Sequence, residues 1–596
     1  MILCLAAAVA ATTARATDPF TCETRAECSE RVAALKQEIL QVDNTRSTAK
    51  YWLLRALNMA EDALADGTKA EWDALAHTTR NETMIPGNYC PKDAAFEFCP
   101  VHQASVKLDS TVKYKTHGFD ACFPDMEVSF SSHAPGGEAG GKRWGYLHFK
   151  VGLPTKLDCA DAYIAGSKYG KRSLSVGTVD HIYKKMHINV TYLPGEYEDI
   201  LQNGITIMVA PCGSLGTIKS VLNTISLFYS KDPSKIREAN KQFLLYRKIF
   251  DRLPPRTNAT VTAIDKHSIR SGDTLQVVKL DGLDQLISWG TGGRTGHVTV
   301  AVWGEDGELY VCESTDASPF GSYWPPPYGI IRTPWDQWVQ LALKAEFVVD
   351  ILPLSKGAAE AFSEKAFWAW FHTVQGMPYG YHVMLYSFLD TYAPARNLPL
   401  PFDAQSIDYM LPHLDKLVGH DNVTTGSNMY ALLGEGLNHR LNVTCTGTGM
   451  MACLSTVLVQ RNMTYAEATA IPENDSWRYD ANASTGFRGN YSMMCSAFVA
   501  NAYKAAMGSF LPPFQSHEFT PKDVYQMQIF DDSPSGHFNS DNCPGGLIQS
   551  PTGSYCQLLG DFELRLNGYN SVRPYQGMNN HCASQWPNYD DTKRPC

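Results

Sequence analysis

The spacing of apolar residues changes along this chain, and the expected elements change with it. RVAALKQEILQV (31–42) and AKYWLLRALNMAEDAL (49–64) space apolar residues three and four apart, as an amphipathic helix does. From Val106 to Thr191 the pattern shortens to β-like runs such as WGYLHFKVGL, broken by the Gly-rich PGGEAGGK. That loop lacks the GxxxxGK[ST] spacing of a phosphate cradle and reads as surface. Helical period returns in IREANKQFLLYRKIFDRL (236–253), which Pro254-Pro255 closes. It recurs in MYALLGEGLNH (429–439) and in SAFVANAYKAAMG (496–508).

Between these helices, TGHVTVAVWGEDGELYVCEST (295–315) predicts a β-hairpin. The runs His297–Trp303 and Leu309–Glu313 flank Glu305-Asp306-Gly307, and Gly307 suits the left-handed position that ends a three-residue loop. With that loop Gly304 pairs with Glu308, and Thr299 lies opposite Glu313. His297 then shares the Glu313 face one diagonal away, close enough for the carboxylate to orient the imidazole. A two-residue turn would put the two on opposite faces, so loop length decides the pairing. Cys312, beside Glu313, is expected to point the other way, toward a disulfide or the core.

Cys495 opens the helical pattern of GNYSMMCSAFVANAYKAAM (489–507). A thiol in the first turn of a helix meets the positive end of the peptide dipoles, which favours the thiolate. The small neighbour Ser496 allows close approach of a substrate, and the free N–H groups of that turn suit an oxyanion. The competing readings of Cys495 are a disulfide member or an inert buried thiol. Cys212, in MVAPCGSLGTIKSV, also precedes a helix, but no short hairpin supplies its upstream histidines, His181 and His187, with a carboxylate. It reads as a disulfide member.

Composition narrows the class. At 596 residues the chain exceeds the size of one hydrophobic core, so several domains are expected. A net charge of −10 and the absence of a Lys/Arg run give no support to a nucleic-acid partner. The start, MILCLAAAVAATTARA, has a short apolar stretch ending in Ala14-Arg15-Ala16 and reads as a signal peptide of residues 1–16. Nine Asn-x-Ser/Thr sites, at Asn81, Asn189, Asn258, Asn422, Asn442, Asn462, Asn474, Asn482 and Asn490, point the same way. Sixteen cysteines less Cys4 leave fifteen, an odd number that leaves one thiol without an intrachain partner in an oxidising compartment. No later run is long and apolar enough for a transmembrane span, and scattered histidines show no compact metal spacing.

SGDTLQVV (271–278), the hairpin, GMPYGYH (376–382), the Cys495 helix and FTPKDVY (519–525) occur in an order that resembles the circularly permuted papain-like branch of the NlpC/P60-type cysteine peptidases and amidases. The resemblance covers about residues 266–531. It implies an α+β, permuted papain-like fold with a small antiparallel β-barrel or sheet and a cysteine-bearing helix. It implies Cys495 as nucleophile, His297 as general base and Glu313 as the residue orienting that base. Tyr379 and Ser496 take supporting or substrate-binding places, Gly272-Asp273 looks like the opening of the barrel, and Thr520-Pro521 like the closing segment. No cofactor or metal is implied. The chain departs from the pattern in a long insertion, about 383–489, suited to covering the cleft or carrying specificity.

Outside that domain a mixed helical and α/β region is expected over 17–265, stapled by Cys22, Cys28, Cys90 and Cys99. A Cys-rich appendage is expected over 532–596, and Cys445 and Cys453 are close enough in sequence for a local bridge. Trp324, Pro325–Pro327, Tyr328, Tyr379 and Tyr381 are candidates for an aromatic cleft. The leading expectation is a thiol hydrolase of the secretory pathway, extracellular or in a lysosome- or vacuole-like lumen. Its substrate would be a peptide, amide or lipid ester, attacked through a thioester intermediate. Two alternatives stay open: a cysteine acyltransferase, and a catalytically silent, glycosylated scaffold with extracellular or cell-surface protein partners.

Overall fold

The computed structural model describes strand segments between 101 and 211, residues 233–256 and 265–380 with short breaks, and residues 429–574 apart from 480–492 and shorter breaks. The signal-like start, the expected helices of 31–64 with their flanking cysteines, Cys212, the PGGEAGGK loop, Tyr381, Cys582 and Cys596 lie outside the described residues. Two compact units divide the chain, the first being Met1–Lys235 with Pro401–Gly419 and Thr464–Ala466.

The first unit holds two four-stranded antiparallel sheets. One has the order β1 (Val101–Val106), β8 (Ile205–Pro211), β5 (Ala160–Ser167), β6 (Gly170–Gly177). The other runs β2 (Ser110–Lys115), β3 (Asp125–His133), β4 (Trp144–Val151), β7 (Met186–Thr191). Met126, Val128 and Phe130 are buried while Glu127 and Ser129 between them are not, the period-two pattern of a sheet with one packed face.

The second unit is built on one seven-stranded antiparallel sheet, ordered β12 (Gly329–Pro334), β11 (Leu309–Thr315), β10 (His297–Trp303), β9 (Thr274–Val278), β13 (Val348–Leu352), β15 (Gly553–Leu559), β14 (Leu547–Ser550). Its edges, β12 and β14, do not pair, so the sheet is open rather than the closed barrel that was one form of the expectation. Residues 547–559 also differ from the expected appendage. Tyr555, Cys556 and Gln557 are fully buried, and β15 pairs with β13, because that strand has a core to join on both faces.

Ten α-helices are found among the described residues. They are α1 (Pro233–Tyr246), α2 (Leu283–Thr291), α3 (Trp335–Lys344), α4 (Lys356–Ala361), α5 (Glu364–Val374), α6 (Met429–Leu441), α7 (Met450–Gln460), α8 (Tyr465–Thr469), α9 (Cys495–Met507) and α10 (Pro521–Gln526). On one sheet face Leu275, Val277, Ala301, Val311, Val349 and Ile351 pack against Trp335, Trp338 and Ala342 of α3. On the other lies α9. Ala497, Ala500, Ala502 and Ala506 let it approach neighbours closely, and Phe498 packs on Trp370 and Phe371 of α5. A helix so nearly buried all round needs only its small residues and no polar face.

Disulfides join Cys445 to Cys453 and Cys543 to Cys556. Among the described residues no helix is long and apolar enough to cross a membrane. Asn442, Asn462 and Asn474 of the glycosylation sequons are exposed.

Candidate active site

The β10–β11 hairpin has the register that the loop length predicts. The Gly304 N–H donates to the Glu308 carbonyl (2.8 Å), Gly307 takes φ +77°, and Val300 lies opposite Cys312. Glu313 therefore faces the same side as His297, and His297 Nε2 meets Glu313 Oε2 at 2.7 Å. Trp338 Nε1 of α3 donates to the other carboxylate oxygen at 2.9 Å. Burial alone would raise the Glu313 carboxyl, but His297, Lys279 and the Trp338 N–H hold it below its ordinary value. Cys312 points to the opposite face, buried and without a disulfide, so the core role is the one it fills.

Cys495 is the first residue of α9, after an extended Met494. The β10–β11 ladder ends at Val300 and Cys312, so nearer the start of β10 one backbone edge is left without a strand partner. Ala301 N–H bonds toward β9, which directs the even-numbered backbone groups to that vacated edge. The thiol occupies it. Sγ lies 3.8 Å from the Gly296 carbonyl, and the Val298 N–H bonds to it, so the sulfur sits against the backbone on both sides of His297. His297 Nε2 itself is committed to Glu313.

Two contacts fix the approach of the chain to Cys495. Met493 O accepts from Ser314 Oγ at 2.6 Å and from the Gly380 N–H at 3.1 Å. A Cβ on Gly380 would lie 2.7 Å from the Met493 carbonyl carbon, so the turn after α5 needs glycine there. That turn carries Tyr379, whose hydroxyl donates to Sγ at 3.9 Å. Ser496 points elsewhere: its hydroxyl donates to the Phe519 carbonyl at 2.6 Å and ties α9 to the segment before α10. The Thr520–Asp523 capping box then starts α10 at Pro521.

The site is closed. Cys495, His297 and Glu313 are 1, 2 and 1% exposed. Burial, with a smaller contribution from Asp284, pushes the Cys495 thiol up to about 11, against Lys279, the Val298 N–H and Tyr379, which pull it down. The expected lowering at a helix start is outweighed because desolvation penalises the thiolate more than the local donors stabilise it.

Of the five residues singled out in the sequence, His297 meets Glu313 and Tyr379 meets Cys495, the two pairs being joined by the backbone flanking His297 against Sγ, while Ser496 supports the helix. Trp338, Lys279, Asp284, Gly296 and Ser314 were not foreseen. Trp324 was a cleft candidate but stacks on Phe347 and packs edge-on against Trp338 in the core beneath α3. No protein-family model matches the chain, and no curated protein or solved structure does so either.

Proposed function

We propose that the chain is a thiol hydrolase of amides or esters, built on a permuted papain-like domain and delivered to an extracellular or lumenal compartment. The observation that carries this reading is the His297–Glu313 hydrogen bond on one face of a hairpin, with the Cys495 sulfur against the backbone flanking that histidine. At rest the thiol is protonated. As Sγ attacks the acyl carbon, His297 takes the thiol proton and Glu313 balances the imidazolium charge. In this reading the N–H groups of the first α9 turn receive the oxyanion, with Tyr379 in a supporting place. His297 returns the proton to the departing amine or alcohol, leaving a thioester on Cys495. Water, deprotonated by His297, then releases the acid and restores the thiol. An amine or alcohol in place of water gives acyl transfer. Two disulfides and three exposed sequon asparagines support the oxidising compartment.

One observation favours a second reading, a silent scaffold: the closed thiol pushed up to about 11. Labelling native, non-reduced protein with iodoacetamide and mapping by peptide mass spectrometry separates the two. Labelling of Cys495 that is lost in H297A is the enzyme's result. Cys495 that labels only after denaturation, or equally in H297A, is the scaffold's.

A further inference from the structure

The connection from β9 to α2 carries two buried charges beside the thiol. Lys279, 5% exposed, lies on the His297 face of β9, and its ammonium donates to Thr315 Oγ1 at 3.1 Å, two residues beyond Glu313. Asp284, 3% exposed, opens α2 and accepts the Lys279 backbone N–H at 2.9 Å, while its own N–H donates to Asp281 Oδ1 at 3.1 Å. The turn is therefore braced at both ends. Gly296 seats directly on it, since a Cβ there would fall 2.3 Å from Asp284 Cα, and the same Gly296 presents its carbonyl to Sγ. Asp284 is separated from the thiol by one glycine. Lys279 acts on it electrostatically from the strand next to His297.

The other groups at the sulfur are the Tyr379 hydroxyl from the turn after α5 and the backbone on either side of His297, whose ring is held by Glu313 of β11. The first turn of α9 itself carries no acidic residue. Lys279 is faced in turn by Glu313 and by the Phe347 ring at 6.0 Å, with Asp281 and Asp284 following in its own turn. In so dry a site, charges act over longer distances than in water.

We propose that Lys279 and Asp284 are an opposed pair of positioning residues that sets the reactivity of Cys495, Lys279 favouring the thiolate and Asp284 opposing it. The assignment rests on Cys495 being the reactive thiol of the proposed function. Neither side chain needs to touch substrate. The pair gives the site a fixed electrostatic balance that the helix N-terminus alone does not supply.

The test is the rate of Cys495 alkylation by iodoacetamide at pH 8, in the full chain, for wild type, H297A, K279M, K279R and D284N. Below its midpoint the thiolate fraction changes about tenfold per unit of thiol acidity, so rates read the charge directly. K279M is expected to label several-fold slower, D284N several-fold faster, and K279R near wild type. K279M/D284N should return toward wild type. D284N keeps the acceptor for the Lys279 N–H, and thermal melts identify a variant that fails to fold, in which case K279Q replaces K279M. Rates that move in the same direction in both single variants, or in neither, overturn the charge pair. Wild-type labelling indifferent to H297A overturns the hydrolase reading instead, whatever the two charge variants do.

Discussion

Replacing Glu313 by glutamine asks what the Trp338 N–H does in the proposed mechanism. The carboxylate accepts from Trp338 at one oxygen and meets His297 Nε2 at the other. A glutamine has one acceptor for these two positions. If its oxygen takes the Trp338 N–H, its amide faces His297 Nε2 and drives the ring proton to Nδ1, the wrong tautomer for a base at Nδ1 in the proposed mechanism. If it turns the other way, two N–H donors confront each other in a buried site, at a cost of roughly 1–3 kcal/mol. The first orientation therefore dominates, and a wrong tautomer costs about 10⁴ in rate in the serine-protease case. Adding W338F removes the competing donor and frees the glutamine to accept from His297. In the E313Q background W338F should thus raise the rate, by about 5- to 150-fold, since each ~1.4 kcal/mol is tenfold. In the wild-type background it should lower the rate, because Glu313 loses a donor. The assay is acetylation of Cys495 by p-nitrophenyl acetate, read as nitrophenolate release and as the mass of the Cys495 peptide. A W338F change that lowers the rate in both backgrounds refutes the orienting role.

G296A forces a Cβ to within 2.3 Å of Asp284 backbone, which the turn cannot accommodate; a loss of about 1–3 kcal/mol in denaturant unfolding is expected, with slower Cys495 labelling. R440M leaves Glu473, 2.9 Å from the guanidinium and 1% exposed like it, without its cation, and should destabilise by about 3–5 kcal/mol in a thermal or urea melt. Burial raises the Asp273 carboxyl to about 7 despite bonds from the Arg270 and Leu354 N–H groups. The folded chain therefore keeps a proton that the unfolded chain loses near pH 4, and this contribution, up to about 4 kcal/mol, is present below pH 4 and lost as pH rises through about 7. D273N should remove that part of the decline between urea melts at pH 4 and pH 7.

How far the sequence discloses the site depends on how local each contact is. The His297–Glu313 pairing was legible because it needs only period-two alternation and a three-residue loop, both written in adjacent residues. Cys495 was legible as the head of an apolar helix, and the Cys445–Cys453 bridge by proximity. Trp338 was not, since it reaches Glu313 from α3 across the sheet face and looks in sequence like any core tryptophan of WDQWVQLALK. Lys279 and Asp284 were equally silent, because what brings their turn to the thiol is Gly296 packing on Asp284. The acidity of the thiol was misjudged for a related reason. A helix start is visible in sequence, whereas near-complete burial is a property of everything packed around it. Sheet closure is likewise a pairing between the two edge strands, which no local pattern encodes.

The described part of the insertion bears on what it does. Asp475 accepts from Lys504 of α9 at 2.7 Å and from the backbone N–H groups of Ser516 and His517 at 3.1 Å each. Burial would raise its carboxyl, yet His517, Lys504 and the Ser516 N–H bring it below its ordinary value. Arg440 of α6 is held between Glu473 and Glu518, and Tyr479 donates to Glu473 at 2.6 Å. These contacts grip the far half of α9, nine residues beyond Cys495 at Lys504, and the same 515–519 segment that accepts from Ser496. A lid over a cleft would contact the thiol end of that helix. Residues 471–479 instead brace its other end, so their loss should lower stability in R440M while leaving His297-dependent labelling of Cys495 in the folded fraction unchanged.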